Sequence, residues 1–545
     1  MKTQVEVEVK AKQLKLRNFM KSLSCPIFKK EIHGVAQTPD VDACYVEDDG
    51  MVTVSVTKMT GYEIKAKPRR LDRWLDWVTR VSGSEVVFFT IFFILLGWAL
   101  AGIKFGQDET WQAIMSDVQA ILSYVFDSFL MRQQLNGYED CLTAVAELRS
   151  RISSHRRMFE IIADGMEKGK YLYVSDTVRA DGTEGTESTE SANDTNRVDD
   201  TNRIVAHDVM NSSLDCLDGF EPELPQETYF GQLATGLAFV VGHFISVIIF
   251  WIGIVIWLAF GHHCGWTSTW QLYINSATSA LMVFIFAFLA NIRERHAQYT
   301  AQCLNAIFQV DAALELKLRR LTNYHDDNLV IVIPPPKVNT LQKWILYYAD
   351  VVGTLLGILI LLVALIVWAL IGPVMHFNSN WWLLIGTYAG LVGLNDGFVL
   401  RNVQNRLKQY EHREYDFVDS EDIQLFNSIG LDVPERETVE SSTVSHKVSF
   451  FMDVVCGHEL TVVAGVVLLL GLLAASSALK WSITGQLICN IPPSIIESFF
   501  MMILITGHNY GDQAKRVTLK NIYQRRLALI GYVTSLEKAQ AAVTN

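Results

Sequence analysis

Charge is absent from long tracts of this 545-residue chain, and that absence decides its class. No Asp, Glu, Lys or Arg occurs from Thr228 to Ile292, from Val351 to Asn395, or from Leu460 to Leu479. Each tract reaches or exceeds the roughly 20 apolar residues that a membrane-spanning helix needs, so the two longer ones hold a pair of helices each. Basic residues are also missing from the short connections: of 46 Lys and Arg, only Lys104 and Lys480 fall in the four short turns between paired helices. The positive-inside bias then places those turns outside, and the long polar segments with both termini in the cytoplasm. Residues 1 to 70 lack an apolar stretch of the signal-peptide kind, so the first span is expected to insert as its own signal. The eight cysteines show no CxxC pair and no secreted-framework spacing, which argues against disulfides. A Walker sequence is missing, which disfavours an ATP-driven pump. HExxH spacing and a nucleophile triad are missing too, which disfavours a membrane-embedded enzyme. Nothing points to nucleic acid.

What is present is repetition. Gly83…Trp98…Gly102…Gln112, Gly242…Trp257…Gly261…Gln271 and Gly353…Trp368…Gly372…Trp382 share spacings of 15, 4 and 10 residues. A fourth copy starts at Gly457 and keeps Gln486 at an offset of 29, with Leu472 and Ser476 in place of the tryptophan and second glycine. Repetition at this level sets the fold. The expectation is an all-α polytopic membrane protein of eight transmembrane helices arranged as four repeated two-helix hairpins. First helices are placed near 84–102, 235–260, 352–372 and 455–477, and second helices near 111–131, 270–291, 381–400 and 485–506. Each second helix is expected to run on as an amphipathic cytoplasmic extension, as at Cys141–Arg157, Cys303–Leu321 and Val517–Leu536. The chain divides into an N-terminal region (1–74), repeat 1 (75–160), an acidic loop (161–228), repeat 2 (229–325), repeat 3 (326–440) and repeat 4 with the C-terminus (441–545). Between Asp176 and Glu227 stand 14 acidic and three basic residues among Ser, Thr, Gly and Asn, a composition that reads as disordered.

Polar side chains inside a bilayer cost a few kcal/mol each and tend to mark a pore, a ligand or a partner. Directly after the register glycine come Ser84, His243, Thr354 and His458, polar in every copy and therefore candidates for a ring about a shared axis. The next position holds Glu85, Phe244, Leu355 and Glu459. The fourth repeat is richest, with Asp453, Cys456, His458 and Glu459 within about two turns; imidazole, carboxylate and thiolate suit Fe²⁺ or Zn²⁺ better than Ca²⁺ or Mg²⁺. On the second helices, offsets of 4, 3 and 4 keep one face. Its layers are Ser116, Asn275, Gly386 and Asn490; Ala120, Ser279, Gly390 and Ser494; Ser123, Met282, Gly393 and Glu497; Asp127, Phe286, Gly397 and Met501. This face either lines a path, with Glu497 as a cation ligand, or packs closely through small residues. Asp127 and Asp396 are either ligands or partners of Arg132 and Arg401, and Glu85 has the same two readings. Asn490, Pro492 and Pro493 interrupt the last helix, and broken helices expose carbonyls at transport sites. His262, His263, Cys264, His376, Asp108 and Glu109 stand in the outer turns, where they would collect cations or simply be solvated.

Three segments carry a resemblance: Trp270-Gln271-Leu272-Tyr273-Ile274-Asn275, Ala287-Phe288-Leu289-Ala290-Asn291, and Ala313-Leu314-Glu315-Leu316-Lys317-Leu318. With the Ser276/Thr278 run between them, they resemble the low-affinity iron permease family, whose members share a WQLxINT start, an FLIQN-like helix end and an ALQLKL-like extension. Through the repeats the resemblance extends over residues 75 to 535. It implies a multi-pass plasma-membrane protein that takes up Fe²⁺, and also Zn²⁺, Cu and other divalent metals, as substrates with no permanently bound cofactor. Asn291 matches the family's helix-end asparagine, while Arg132, Asn402 and Thr506 occupy that offset elsewhere. Combined with the residue reading, the metal ligands expected are Glu497, His458, Glu459, His243, Glu85, Asp127, Met501, Cys456, Asn275 and Asn490. Metal would pass the Asn275/Asn490 layer, bind Glu497 with help from Met501 and Ser123, and leave past His243, His458, Glu459 and Glu85. A gated cation channel and a membrane metal sensor using the acidic loop stay open beside this reading, and the oligomeric state is left undetermined.

Overall fold

A computed structural model of the chain describes residues 30–39, 45–48, 51–106, 108–168, 217–218, 221, 223–439 and 444–544. Most of the acidic loop lies outside these residues.

The register glycines are places where the chain bends. Four helices of 13 residues each, α1 (Arg70–Ser82), α4 (Tyr229–Val241), α7 (Thr340–Val352) and α10 (Val444–Cys456), stop one residue before Gly83, Gly242, Gly353 and Gly457. Apolar helices begin two residues later: α2 (Glu85–Phe105), α5 (Phe244–His263), α8 (Leu355–Ile371) and α11 (Glu459–Ala478). Ser84, His243, Thr354 and His458 stand between, with extended backbone, and each caps the apolar helix that follows. Ser84 Oγ accepts from Val87 N (3.4 Å), His243 Nδ1 from Ile245 N (3.2 Å), Thr354 Oγ1 from Leu356 N (3.3 Å) and His458 Nδ1 from Leu460 N (3.2 Å). A helix start leaves four backbone N–H groups without partners, so a side-chain acceptor is needed at each of these four places. The expected first helices near 235–260, 352–372 and 455–477 are corrected accordingly. They start at Phe244, Leu355 and Glu459, and the residues before them belong to separate helices.

Each apolar helix turns into a long one: α3 (Glu109–Glu167), α6 (Ser268–Thr322), α9 (Ser379–Ser428), and α12 (Ile483–Ile488) continued by α13 (Ile491–Thr544). Tryptophans at a fixed spacing close three of these turns by parallel stacking. Trp98 lies on Trp111 at 4.2 Å, Trp257 on Trp270 at 4.0 Å, and Trp368 on Trp381 at 4.3 Å. Gln112, Gln271 and Gln486 donate to the turn carbonyls of Gly106, Trp266 and Trp481, which accounts for the recurrent glutamine. The fourth turn has no tryptophan pair; there the Cys489 thiol meets the Leu472 carbonyl at 3.5 Å. Among the described residues seven helices are long and apolar enough to cross a membrane, and an eighth span is reached if α7 and α8, bent by 67° at Gly353, are taken as one. At 1.5 Å per residue the long helices run to about 75–90 Å, against a hydrocarbon core of about 30 Å, so more than half of each extends beyond it.

These long helices form a closed ring in which α3 and α13 each pack on both α6 and α9. Hydrogen bonds fix that order. Asn291 on α6 donates to Gly83 O (2.9 Å), Arg132 on α3 to Gly353 O (3.3 Å), Asn402 on α9 to Gly457 O (2.8 Å) and Thr506 on α13 to Gly242 O (2.6 Å). The carbonyl at each bend has lost its intrahelical donor, and a neighbouring long helix supplies one. Close approach there also requires glycine: a Cβ on Gly83 would sit 2.8 Å from the Ala290 carbonyl oxygen, and one on Gly242 would sit 3.1 Å from the Thr506 backbone.

Farther along, buried ion pairs follow the same circuit: Arg151–Glu315 (2.9 Å) joins α3 to α6, Arg526–Asp311 (2.7 Å) joins α13 to α6, and Arg526–Asp422 (2.7 Å) joins α13 to α9. Arg149–Glu421 (3.0 Å) joins α3 to α9. Among the described residues five short strands depart from the all-α expectation. Strand β1 (Ile32–Gly34) pairs antiparallel with β5 (Ile331–Ile333); β2 (Tyr45–Asp48) pairs antiparallel with β3 (Met51–Ser55), which pairs parallel with β4 (Leu217–Asp218).

Candidate metal site

Three buried carboxylates on three of the ring's helices lie within electrostatic reach of one another. Asp127 on α3 and Asp396 on α9 are fully buried and Glu497 on α13 is 1% exposed. Asp127 lies within electrostatic reach of both Glu497 and Asp396, and Glu497 within reach of Asp396. The fourth helix, α6, contributes buried Met282 and Phe286 at the corresponding level.

The alternative that arginines neutralise these acids does not hold. Arg132 pairs with Asp76 (2.6 Å) and Asp72 (3.6 Å) of α1, and Arg401 pairs with Asp453 of α10. Among the described residues both oxygens of Asp127, both of Glu497 and Oδ2 of Asp396 have no hydrogen-bond partner; Asp396 Oδ1 accepts from the Tyr348 hydroxyl at 2.6 Å. Burying one uncompensated carboxylate costs several kcal/mol, so three with five orphaned oxygens are neutralised either by protons or by a cation.

The small residues have a specific task at this place. A Cβ on Gly393 would stand 2.7 and 2.8 Å from the two Glu497 carboxylate oxygens, and one on Gly397 would stand 3.8 Å from Glu497 Cγ and 3.9 Å from Met501 Cε. Gly386 and Gly390 make the same kind of room for Asn490. Asn490 itself lies in the break between α12 and α13, where Pro492 and Pro493 have no N–H to return to the carbonyls of Ile488 and Cys489. The Cys489 oxygen faces Gly390, 3.0 Å from where a Cβ would be. On the other side of the ring Asn275 donates to Ser116 (2.9 Å), Thr278 meets Ser494 (3.2 Å), Ser279 donates to Gln119 (3.3 Å) and Gln119 to Ser123 (2.7 Å). A buried polar seam thus leads from the short turns toward the carboxylates.

The structure brings Glu497, Asp127, Met501, Asn490 and Asn275 onto the facing sides of the long helices. His243 and His458 instead cap α5 and α11, Glu459 is held by Arg406 and by Asn339 (3.2 Å), and Glu85 stands 3.8 Å from Arg295. Cys456 closes α10 and is buried. Among the described residues no three His, Cys, Asp or Glu side chains are arranged to hold a metal ion, so neither the Cys456/His458/Glu459 grouping nor the three acids form a finished coordination shell. Tyr348 was not among the expected ligands, and Asp396, read as either a ligand or a partner of Arg401, was left out of the final set. The charge of Asp396 inside an apolar tract was visible; Tyr348, on α7, offered no signal.

Helices of this length and apolarity around buried, unpaired acids define a polytopic helical membrane protein with an acid-lined centre. The family model described as low affinity iron permease matches residues 230–334 and 445–543. The chain is 34% identical to the low-affinity iron/zinc ion transport protein fet4 of Schizosaccharomyces pombe, with 84% of this chain and 72% of that protein covered. It is also 34% identical to the low-affinity Fe(2+) transport protein of Saccharomyces cerevisiae, covering 85% and 83%. The chain belongs to the low-affinity iron permease family. No solved structure matches it.

Proposed function

We propose that this chain carries out low-affinity uptake of divalent transition metal ions across the plasma membrane, Fe²⁺ first and Zn²⁺, Cu and other divalent metals with it. The observation that carries the reading is the set of three buried carboxylates left without a cation because their nearby arginines are engaged elsewhere. A dication answers that charge, and the thioether of Met501 beside carboxylate oxygens suits borderline metals. An unfinished shell fits weak binding, because the metal must draw the ligands together and complete itself with water or freed carbonyls.

In this reading the chain is built of four hairpin repeats about a pseudo-symmetric axis, with eight spans, both termini cytoplasmic and the long helices extending into the cytoplasm. Metal enters at the short turns, follows the Asn275/Asn490 seam, binds Glu497, Asp127 and Asp396, and departs toward the glycine bends. No energy-supplying motif is needed: an inward potential favours a dication by about 4.6 kcal/mol per 100 mV, at about 2.3 per charge. The metal is cargo and no permanently bound cofactor takes part; transport, not catalysis, is the activity.

The test is ⁵⁵Fe²⁺ uptake into proteoliposomes under an imposed potential, with Glu497→Gln in parallel. Saturable uptake, displaced by Zn²⁺ and lost in the variant, is the expected result. Undiminished flux in Glu497→Gln would remove the carboxylate centre from the pathway.

A further inference from the structure

The four 13-residue helices present large apolar side chains outward, among them Trp74 and Trp77 on α1, Leu233 on α4, Trp344 on α7 and Phe451 on α10. Beside membrane-spanning helices such faces lie in the bilayer interface. α1 differs from the other three in charge. Its acids turn inward, Asp72 and Asp76 toward Arg132, with Lys67 also on Asp76 at 3.4 Å. Its arginines remain outside. Arg70, Arg73 and Arg80 are exposed; Arg80 has only a 3.8 Å contact with Glu294, and Arg70 and Arg73 form no ion pair among the described residues. Positions 70, 73, 74, 77 and 81 recur at helical spacing, so Arg70 and Arg73 share one face with Trp74, Trp77 and Val81. By contrast α4 carries no charged residue, while α7 and α10 each expose a single basic one, Lys343 and Lys447.

We infer that α1 is a binding site for phosphate-bearing anionic lipid headgroups of the cytoplasmic leaflet. Trp74 (54% exposed) and Trp77 (59%) seat the helix at the boundary between acyl chains and headgroups. Arg70 and Arg73 then meet the phosphate with paired N–H donors, a geometry that guanidinium supplies and ammonium does not. The inference rests on the topology proposed above, with α2 as the first span and α1 on its cytoplasmic side.

The full-length protein in mild detergent is titrated with short-chain phosphatidylserine, phosphatidylcholine and inorganic phosphate, and bound ligand is counted by native mass spectrometry. Phosphatidylserine is expected to bind in preference to phosphatidylcholine. Each arginine near an anionic surface contributes about fivefold in affinity, so Arg70→Gln with Arg73→Gln should weaken phosphatidylserine binding about thirtyfold. Lys343→Gln with Lys447→Gln should leave it unchanged, and Arg70→Lys with Arg73→Lys should restore part of it. Equal binding of both lipids, or full phosphatidylserine affinity in the arginine-to-glutamine variant, would overturn the assignment. So would inorganic phosphate binding as tightly as the lipid, which would make this a site for free phosphate. No metal enters the readout, so its failure is distinguishable from failure of the transport reading.

Discussion

Adding one methyl group at Gly393 tests the carboxylate centre more finely than removing a carboxylate. The new Cβ would stand 2.7 Å from one Glu497 oxygen and 2.8 Å from the other, where ordinary contact begins at 3.4 Å. The carboxylate must therefore retreat by about 0.7 Å. Because the obstacle is the far end of a flexible side chain, the cost to folding should sit near the low end of overpacking, about 1 kcal/mol. Metal–ligand distances, however, hold to about 0.2 Å, so a retreat of that size takes Glu497 out of coordinating position. Gly393→Ala should raise the KM for Fe²⁺ uptake by about 10- to 100-fold while the protein remains in the membrane with nearly unchanged Tm. Gly97→Ala is the control, since its Cβ would meet nothing within 4 Å. A Gly393→Ala protein with wild-type KM would refute the claim that this glycine makes room for a working ligand.

Other expectations follow from the same geometry. Asn291→Ala leaves the Gly83 carbonyl buried without its donor and should cost about 1–3 kcal/mol, read as a lowered Tm in detergent. Asp453→Ala leaves the Arg401 guanidinium, 1% exposed, without its ion-pair partner; about 3–5 kcal/mol of stability should be lost, and no loss would argue against the pairing. Burial, followed by the charges of Arg526, Arg151 and Arg319, holds His155 well below its usual pKa. The unfolded chain then binds the extra proton, so stability is lost as pH falls through the unfolded value of about 6.5. Tm should therefore fall on acidification below that value, and His155→Gln should remove this part of the acid limb of the Tm–pH curve.

Much of the architecture could be read from spacing alone, because each repeated residue serves a backbone need that recurs. The glycines, tryptophans and glutamines mark bends and turns at their observed places. What the spacing could not show was the kind of need. Ser84, His243, Thr354 and His458 looked like a ring of ligands because they are polar in every copy, yet the shared polarity serves helix starts, which become visible only once the chain is known to bend at the preceding glycine. Arg132, Asn291, Asn402 and Thr506 looked unrelated because their side chains differ, while the carbonyl they satisfy requires only a donor. Glu497 was legible from the cost of a charge in an apolar tract. The release of Asp127 and Asp396 from their neighbouring arginines was not, since it depends on Asp76 and Asp453, which lie about 50 residues away along the chain.

The circuit of glycine carbonyls also bears on how the protein is made. Around the ring the long helices run α3, α6, α13, α9, whereas they leave the ribosome as α3, α6, α9, α13. The second and third therefore stand diagonally opposite, and the ring can close only once the last of the four is made. The last helix brings Glu497 to Asp127 and Asp396 and supplies Thr506 to Gly242, so acid-lined centre and closed ring come into being in one step. A chain cut short before Ile491 would keep most of its apolar helices, yet lack both the helix that closes the ring and the Glu497 carboxylate it carries.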